Sequence, residues 1–159
     1  MIEFRKAKIP DELDALQQLD QKIFAEFPDD WFDIDDWREF ESYWMIEDGI
    51  VVGCSAFIHN VDYDEAPRPG CLYIVTTGVL PEIQGRGLGT EQKRWQISYA
   101  SAHGFTCIVT NMRRSNHRII RLNRSIGFKD RIIVPDFYDG PAEDAVVMEL
   151  ALETSRERS

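Results

Sequence analysis

The 159-residue sequence holds only three cysteines, Cys54, Cys71 and Cys107, an odd number with no CxxC spacing. This excludes a disulfide framework and a thiolate zinc site, and each thiol falls in an apolar run, as buried reduced cysteines of a cytosolic protein do. No set of His, Cys and carboxylate residues has metal-ligand spacing, so no metal is expected. No apolar stretch approaches the roughly 18–20 residues of a membrane span, and Met1 to Lys6 lacks the apolar core of a signal peptide. The expectation is a cytoplasmic protein without a membrane partner. Basic residues are also scarce. With 18 Lys and Arg against 28 Asp and Glu, the formal charge is −10. That argues against general nucleic-acid binding, because phosphate backbones reward a basic face. Internal repeats, low-complexity tracts and Pro/Ser linkers are missing too. What is present, 43% apolar and 29% charged residues, is the make-up of an ordinary globule long enough to bury a core. One domain over 1–152 is expected, followed by a polar C-terminal tail, 153–159.

The charge is unevenly spread. Residues 1–83 carry 6 basic and 19 acidic side chains, residues 84–131 carry 10 and 2, and residues 132–159 carry 2 and 7. The middle segment is therefore +8 within an acidic chain. Such a segment is either a solvated helix face or the seat of one anionic ligand.

Apolar periodicity gives a coarse order of elements. Ile2 to Ala7 reads as a strand, Pro10 to Phe27 as a helix carrying Leu13, Leu16, Ile23 and Phe24, and Ile34 to Phe40 as a shorter helix. Ser42 to Glu47 and Ile50 to Asn60 flank Asp48-Gly49, a type I′ turn signal, and form a hairpin. Pro67, Pro69 and Gly70 mark a turn before a strand from Cys71 to Leu80. A helix from Leu88 to His103 follows, then a buried strand from Phe105 to Asn111 and a helix from Asn116 to Ile126 stopped by Gly127. Strands near Arg131 to Val134 and Ala145 to Leu152 close the chain. This order predicts one α/β domain, a mixed central sheet of about seven strands flanked by about four helices.

Between a strand and a helix start lies Gln84-Gly85-Arg86-Gly87-Leu88-Gly89-Thr90. Glycines there let a ligand approach backbone N–H groups, and the helix N-terminus adds unpaired donors suited to phosphate. The dinucleotide pattern G-x-G-x-x-G is absent, and so is the Lys-Ser/Thr of a P-loop. Taken alone, the loop could also be a tight turn without a ligand.

It is not alone. Gln84 to Gly89 resembles the [Arg/Gln]-x-x-Gly-x-[Gly/Ala] signature of the GCN5-related N-acetyltransferases (GNAT), with the lead-in Val79 to Glu82. Asn116 to Ile126 followed by Gly127-Phe128 resembles the family's second segment, and Glu143 to Leu150 its last strand. The resemblance implies the acyl-CoA N-acyltransferase fold and acetyl-CoA as cosubstrate. It further implies that the amides from Gly85 to Thr90, Arg86, Gly87, Leu88 and Gly89 included, take the pyrophosphate, with Gln84 in the loop. Thr77, Gly78 and Val79 would pair with the pantetheine amides, and Asn116 would hold the pantetheine or the adenine side. Arg86, Lys93, Arg118, Arg121 and Arg124 are the candidate phosphate contacts.

Acetyl transfer to an amine by direct attack in a ternary complex needs a neutral amine, a stabilised oxyanion and a proton for the thiolate. The resemblance implies a backbone N–H near Val79 for the oxyanion. Many relatives place a proton-donating Tyr four residues before the Gly of Gly-Phe. Here that position is Asn123. Tyr138, in the segment Asp136 to Gly140, is the substitute the sequence offers, although Phe137 and Tyr138 could simply pack a hairpin. The acceptor expected is a small-molecule or peptide amine. The acidic segments Glu26 to Glu41 and Asp62 to Glu65, interleaved with Trp31, Phe32, Trp37 and Phe40, favour a cationic one, unless these aromatics only anchor short helices. A monomer or homodimer is expected. A CoA-binding protein of the same fold that carries or senses without turnover is the alternative.

Overall fold

A computed structural model describes residues 1–153. The tail expected over 153–159 lies, beyond Glu153, outside the described residues. Seven strands and four α-helices follow one another in the order expected. They are β1 (Ile2–Lys6), α1 (Leu13–Ile23), α2 (Ile34–Glu39), β2 (Glu41–Glu47), β3 (Ile50–Val61), β4 (Pro67–Val79), α3 (Leu88–Ala102), β5 (Cys107–Arg113), α4 (His117–Ile126), β6 (Lys129–Tyr138) and β7 (Glu143–Ala151). Single 3-10 turns at Pro28–Asp30 and Pro81–Ile83 punctuate the chain.

The sheet order is β1-β2-β3-β4-β5-β7-β6. Only β4 and β5 run parallel, because the long α3 crossover separates them, whereas hairpins join β2 to β3 and β6 to β7. Alternation along the strands divides the core between two faces. On one face α1 and α2 bury Leu13, Leu16, Leu19, Trp37 and Phe40 against Trp44, Cys54 and Ala56. On the other, Tyr99, Ala100 and Ile120 from α3 and α4 pack on Phe57, Leu72, Ile74, Ile108 and Met148.

One irregularity shapes everything below. The parallel pairing of β4 with β5 covers only Cys71–Ile74 against Cys107–Thr110. Thr76 pairs with Ala56 but Ile74 with Phe57, so Val75 is an extra residue on β4, a bulge that bends the strand. From Val75 onward β4 stays with β3 and parts from β5. The sheet therefore opens between them.

The structure corrects several boundaries, beginning with α1, which covers only Leu13–Ile23 of the helix expected from Pro10 to Phe27. Pro67, Pro69 and Gly70 lie within β4 rather than in a turn. The reversal sits earlier, where Asp62 N–H donates to Ala66 O and Glu65 has φ 63°. Prolines are tolerated at this end because β5 begins only opposite Cys71, so no ladder partner is lost. Strand β5 runs two residues further than expected, to Arg113, and β6 extends to Tyr138, which makes that tyrosine a strand-end residue. Among the described residues no helix is long and apolar enough to cross a membrane.

Candidate active site

The glycine loop leaves backbone donors and space open. Gly85 and Gly87 have φ of 88° and 82°, and a side chain at either would project into open space. Gly87 is the N-cap of α3, and no side chain caps that end. The first-turn N–H groups of a 15-residue helix are thus left open toward solvent, with the partial positive charge of the helix end behind them. Gly85, Gly87, Leu88, Gly89 and Thr90 all line one cavity of about 1510 Å³ that also takes in the opening between β4 and β5.

Along the β4 side of that opening the backbone has two faces. Leu80 N–H donates to Val52 O on β3, so in a strand Gly78 faces β3 as well, while Val79 and Thr77 turn their backbone groups to the cavity. Gln84 donates from Nε2 to Val79 O over 3.1 Å and accepts from Arg118, bracing loop against strand. Gly78 plays a different part from its neighbours. Its carbonyl accepts from Gln92 Nε2, and a Cβ there would meet Ile23 Cγ2 at 2.5 Å, so its missing side chain is what lets α1 close over β4. The Thr77 hydroxyl accepts from Gln96.

The basic candidates part company. Arg86 is turned away and pairs with both oxygens of Glu47 at 3.0 Å, and Arg124 pairs with Asp130. Neither side chain lines the cavity; Arg118 and Arg121 do. Asn116 caps α4, its Oδ1 accepting from Ile119 N–H at 3.4 Å, and lines the same cavity.

Beyond the opening, each face of the sheet presents its own polar group. On the α1 face, Tyr73 donates to Asn111 Oδ1 at 2.7 Å, and Asn111 Nδ2 donates to the Tyr138 hydroxyl at 2.8 Å. Burial raises the pKa of both tyrosines, keeping them protonated. Arg113, next outward on β5, is sandwiched between the rings of Phe27 and Tyr138. Its five N–H donors are all used: two on Asp30, one on Glu143 and two on the carbonyls of Asp139 and Pro141. It therefore bolts the 3-10 turn to the β6–β7 hairpin and has no donor left for a ligand. On the α3/α4 face, Asn123 is fully buried, with Nδ2 on Met148 Sδ at 3.8 Å and Oδ1 without a partner among the described residues. Asn123 and Tyr138 thus stand on opposite faces, so Tyr138 is not a positional replacement for a side chain at 123.

The outer mouth is acidic and aromatic. Glu26, Asp29, Asp36, Glu39, Glu65 and Asp139 line it together with Phe24, Trp31 and Phe137. Of the aromatics in the acidic segment, Trp37 of α2 and Phe40 at its C-cap are core residues, and Trp31 is held at the cavity by its indole N–H on Phe24 O.

The sequence patterns mark neither Tyr73 nor Asn111, and mark Lys93 only as a phosphate contact. Asn111 is a polar break in an apolar strand, and Lys93 shares a helical face with Gln96 and Ala100, which is the signal each carries.

Comparison with known proteins gives a consistent result. Residues 13–128 match the family model described as Acetyltransferase (GNAT) family. No curated protein sequence matches the chain. Among solved structures, the fold is similar to the ribosomal-protein-S18-alanine N-acetyltransferase of Escherichia coli (20% identity, TM-score 0.79, 98% of this chain and 96% of that one). It is also similar to Arabidopsis thaliana NAA60 in complex with a bisubstrate analogue (19%, TM-score 0.77, 98% and 100%) and to a Bacillus subtilis acetyltransferase in complex with CoA (20%, TM-score 0.73, 96% and 100%). The family match spans most of the chain, and by it the protein belongs to the GNAT acetyltransferase family and is an acetyl-CoA-dependent acyltransferase.

Proposed function

We propose that the protein, with residues 1–152 as one catalytic domain, moves an acetyl group from acetyl-CoA to a primary amine on a small molecule or a peptide N-terminus. Transfer is by direct attack in a ternary complex. The observation that carries this reading is the cavity itself. It begins at open helix-end amides suited to a pyrophosphate, passes the free edge of β4, and ends at carboxylates and aromatic rings suited to a cationic amine.

The residues present fit CoA. Open room at Gly85 and Gly87, where a Cβ would meet nothing within 4 Å, backed by an uncapped helix end and by Arg118 and Arg121, makes a cradle of the kind a pyrophosphate needs. Gln84 stiffens that cradle and Asn116 fixes the start of α4 beside it. Thr77 and Val79 offer backbone groups to an extended arm with amides, much as a sheet edge takes an added strand. Bound acetyl-CoA supplies the thioester whose carbonyl carbon is attacked. The same open N–H groups, those of Thr77 and Val79, can hold the carbonyl oxygen as it gains charge.

On the acceptor side, Tyr138 contacts the amine. Its hydroxyl oxygen accepts from Asn111 and keeps a lone pair for an incoming N–H, while Asn111 and Tyr73 fix its position. Glu26, Asp29, Asp36, Glu39, Glu65 and Asp139 draw in and orient positive charge. The acceptor class follows from proton arithmetic. A Lys side chain with pKa about 10.4 is neutral in about one molecule per thousand near pH 7.4, an α-amine with pKa about 7.7–8.0 in roughly a fifth to a third. A mouth whose carboxylates are exposed, beside a Tyr138 hydroxyl that burial keeps protonated, suits the second.

The test is calorimetric titration with acetyl-CoA, followed by thiol release over a panel of α-amino peptides, polyamines and lysine-bearing peptides. Saturable binding with amine-dependent release is expected. Binding with no release on any amine would overturn the reading in favour of a carrier, and no binding would overturn it altogether.

A further inference from the structure

The wall of the cavity on the α3/α4 face contains a lysine that the fold has hidden. Lys93 is 3% exposed, and among the described residues its Nζ has no hydrogen-bond partner. The ammonium instead sits 5.4 Å from the centre of the Phe128 ring. Its helical neighbours on α3 have clear structural employment. Gln92 reaches Cys54 O and Gly78 O, and Gln96 reaches Ser55 Oγ and Thr77 Oγ1. Lys93 turns the other way, across to the end of α4, and lines the same cavity as the glycine loop.

Its level in the opening can be read from the sheet. The last paired residues of β4 and β5 are Ile74 and Thr110, which form the closed end. Thr110 is in register with Met148, and Met148 Sδ is held by Asn123. Phe128 N–H donates to Asn123 O, and Lys93 lies over Phe128. Lys93 and Asn123 therefore belong to one stretch of wall beside the closed end. An acyl-CoA that enters with its pyrophosphate at Gly85–Thr90 and its arm along Val79 and Thr77 brings its sulfur to that end. The only proton-bearing group of the pair is Lys93, since a carboxamide does not give up a proton.

We propose that Lys93 is the proton donor to the CoA sulfur as the acetyl group departs. The proposal rests on the CoA-binding reading above. In the step, the amine nitrogen bonds to the acetyl carbon and the C–S bond breaks with its electron pair on sulfur. One Nζ proton of the Lys93 ammonium passes to that sulfur. The acceptor's surplus proton leaves to solvent through the acidic mouth, and Lys93 regains its proton from solvent when CoA departs. The product is CoA thiol rather than a buried thiolate.

Burial supports the assignment. It lowers the Lys93 pKa to about 8, close to the roughly 8.5 of an ordinary thiol, so the transfer is nearly balanced in energy. Besides the six mouth carboxylates named above and Tyr63, the charged and titratable groups around the same cavity are Arg118 and Arg121 on α4, Arg113 on β5, Tyr73 on β4, Tyr138 on β6 and Asp30 in the 3-10 turn. None is within hydrogen-bond reach of Nζ. The amine is set by desolvation, not by a neighbouring charge.

The experiment follows the ultraviolet absorbance of the CoA thiolate against pH in complexes with the wild type, Lys93→Met and Lys93→Gln, beside steady-state kinetics. Lys93→Met replaces an unpartnered buried amine by an apolar chain of similar length, so its thermal midpoint should be unchanged or higher, and Lys93→Gln gives a second neutral variant. Bound thiol should ionise at lower pH in the wild type than in either variant. In the variants kcat should fall by roughly 10²-fold or more. The loss of kcat expected of the wild type as pH rises through about 8 should be absent from the variants, while CoA affinity stays within about threefold. CoA bound normally, with the same thiol titration and the same kcat in Lys93→Met, would overturn the proposal alone. A wild type that binds no CoA would overturn the cosubstrate reading, and the proposal with it.

Discussion

Asn111 joins two tyrosines from strands on either side of it, accepting from Tyr73 at 2.7 Å and donating to Tyr138 at 2.8 Å. The relay leaves the Tyr138 oxygen one lone pair and fixes its direction. Tyr138→Phe removes the oxygen and leaves Asn111 Nδ2 unpaired. If the hydroxyl receives a cationic amine, the lost hydrogen bond to a charged group is worth about 1.5–3 kcal/mol, a 10- to 100-fold fall in kcat/KM for the amine. The dissociation constant for CoA should not move. Equal kcat/KM in the two proteins would remove Tyr138 from the site.

Gly87 is the N-cap of α3, with φ of 82° and space around it. In Gly87→Glu the side chain clashes with nothing but carries a negative charge to where a phosphate should sit. At a separation near 4 Å and an effective dielectric near 20 that costs about 4 kcal/mol, so CoA affinity should fall by about 100-fold or more. Gly87→Ala shares the backbone strain without the charge and should lose far less. Unchanged far-ultraviolet circular dichroism would separate lost binding from lost fold, and equal CoA affinity in wild type and Gly87→Glu would refute the loop assignment.

What the sequence disclosed and what it hid divide along a physical line. The glycine loop, the Asn116 cap and the Asp48-Gly49 turn are local, each made by residues a few positions apart, and all three are where the patterns put them. The partners that shape the acceptor side are remote: Arg113 meets Asp30 across 83 positions, and Asn111 meets Tyr138 across 27. No periodicity reports such pairs. Pro67 and Pro69 misled for a related reason. Their cost in a strand depends on whether a neighbour needs the missing N–H, and only the sheet order shows that β5 has not yet begun. Lys93 was legible as a charge and misread in place, because the middle segment's basic count does not say which side chain the helix turns inward.

Asp20 on α1 makes stability depend on pH. It is 1% exposed, its Oδ2 accepts from Phe32 N–H, and burial raises its pKa to about 6. The folded state thus holds a proton that the unfolded chain, with a carboxyl near 3.9, has already lost between about pH 4 and 6. Stability associated with this group is fully present below pH 4 and declines as pH rises through 6. The shift corresponds to at most about 3 kcal/mol above that range. Asp20→Asn keeps an oxygen for Phe32 N–H and never ionises. Its thermal midpoint should exceed the wild type's at pH 8 and match it near pH 4. A constant difference across that range would show that Asp20 does not titrate as described.

The choice of acceptor predicts a pH signature that differs between amines. With the mouth carboxylates exposed and the Tyr138 hydroxyl kept protonated by burial, the rate at subsaturating amine should track the neutral fraction of the free acceptor. For an α-amino peptide the amine's own contribution to kcat/KM should rise with pH and level off above about 8, because that amine titrates near 7.7–8.0, while loss of the Lys93 proton lowers the rate equally for every amine. For a lysine-bearing peptide with a blocked N-terminus that contribution should still be rising at pH 9, since that amine titrates near 10.4, so its rate relative to the α-amino peptide should gain about tenfold per unit above pH 8. At pH 7.4 the α-amine should therefore be favoured by roughly two orders of magnitude from ionisation alone. Thiol release measured from pH 6 to 9 on the two peptides decides it. Parallel profiles, or equal rates at neutral pH, would mean that one of the mouth carboxylates takes the proton from the acceptor, and the preference for low-pKa amines would fall.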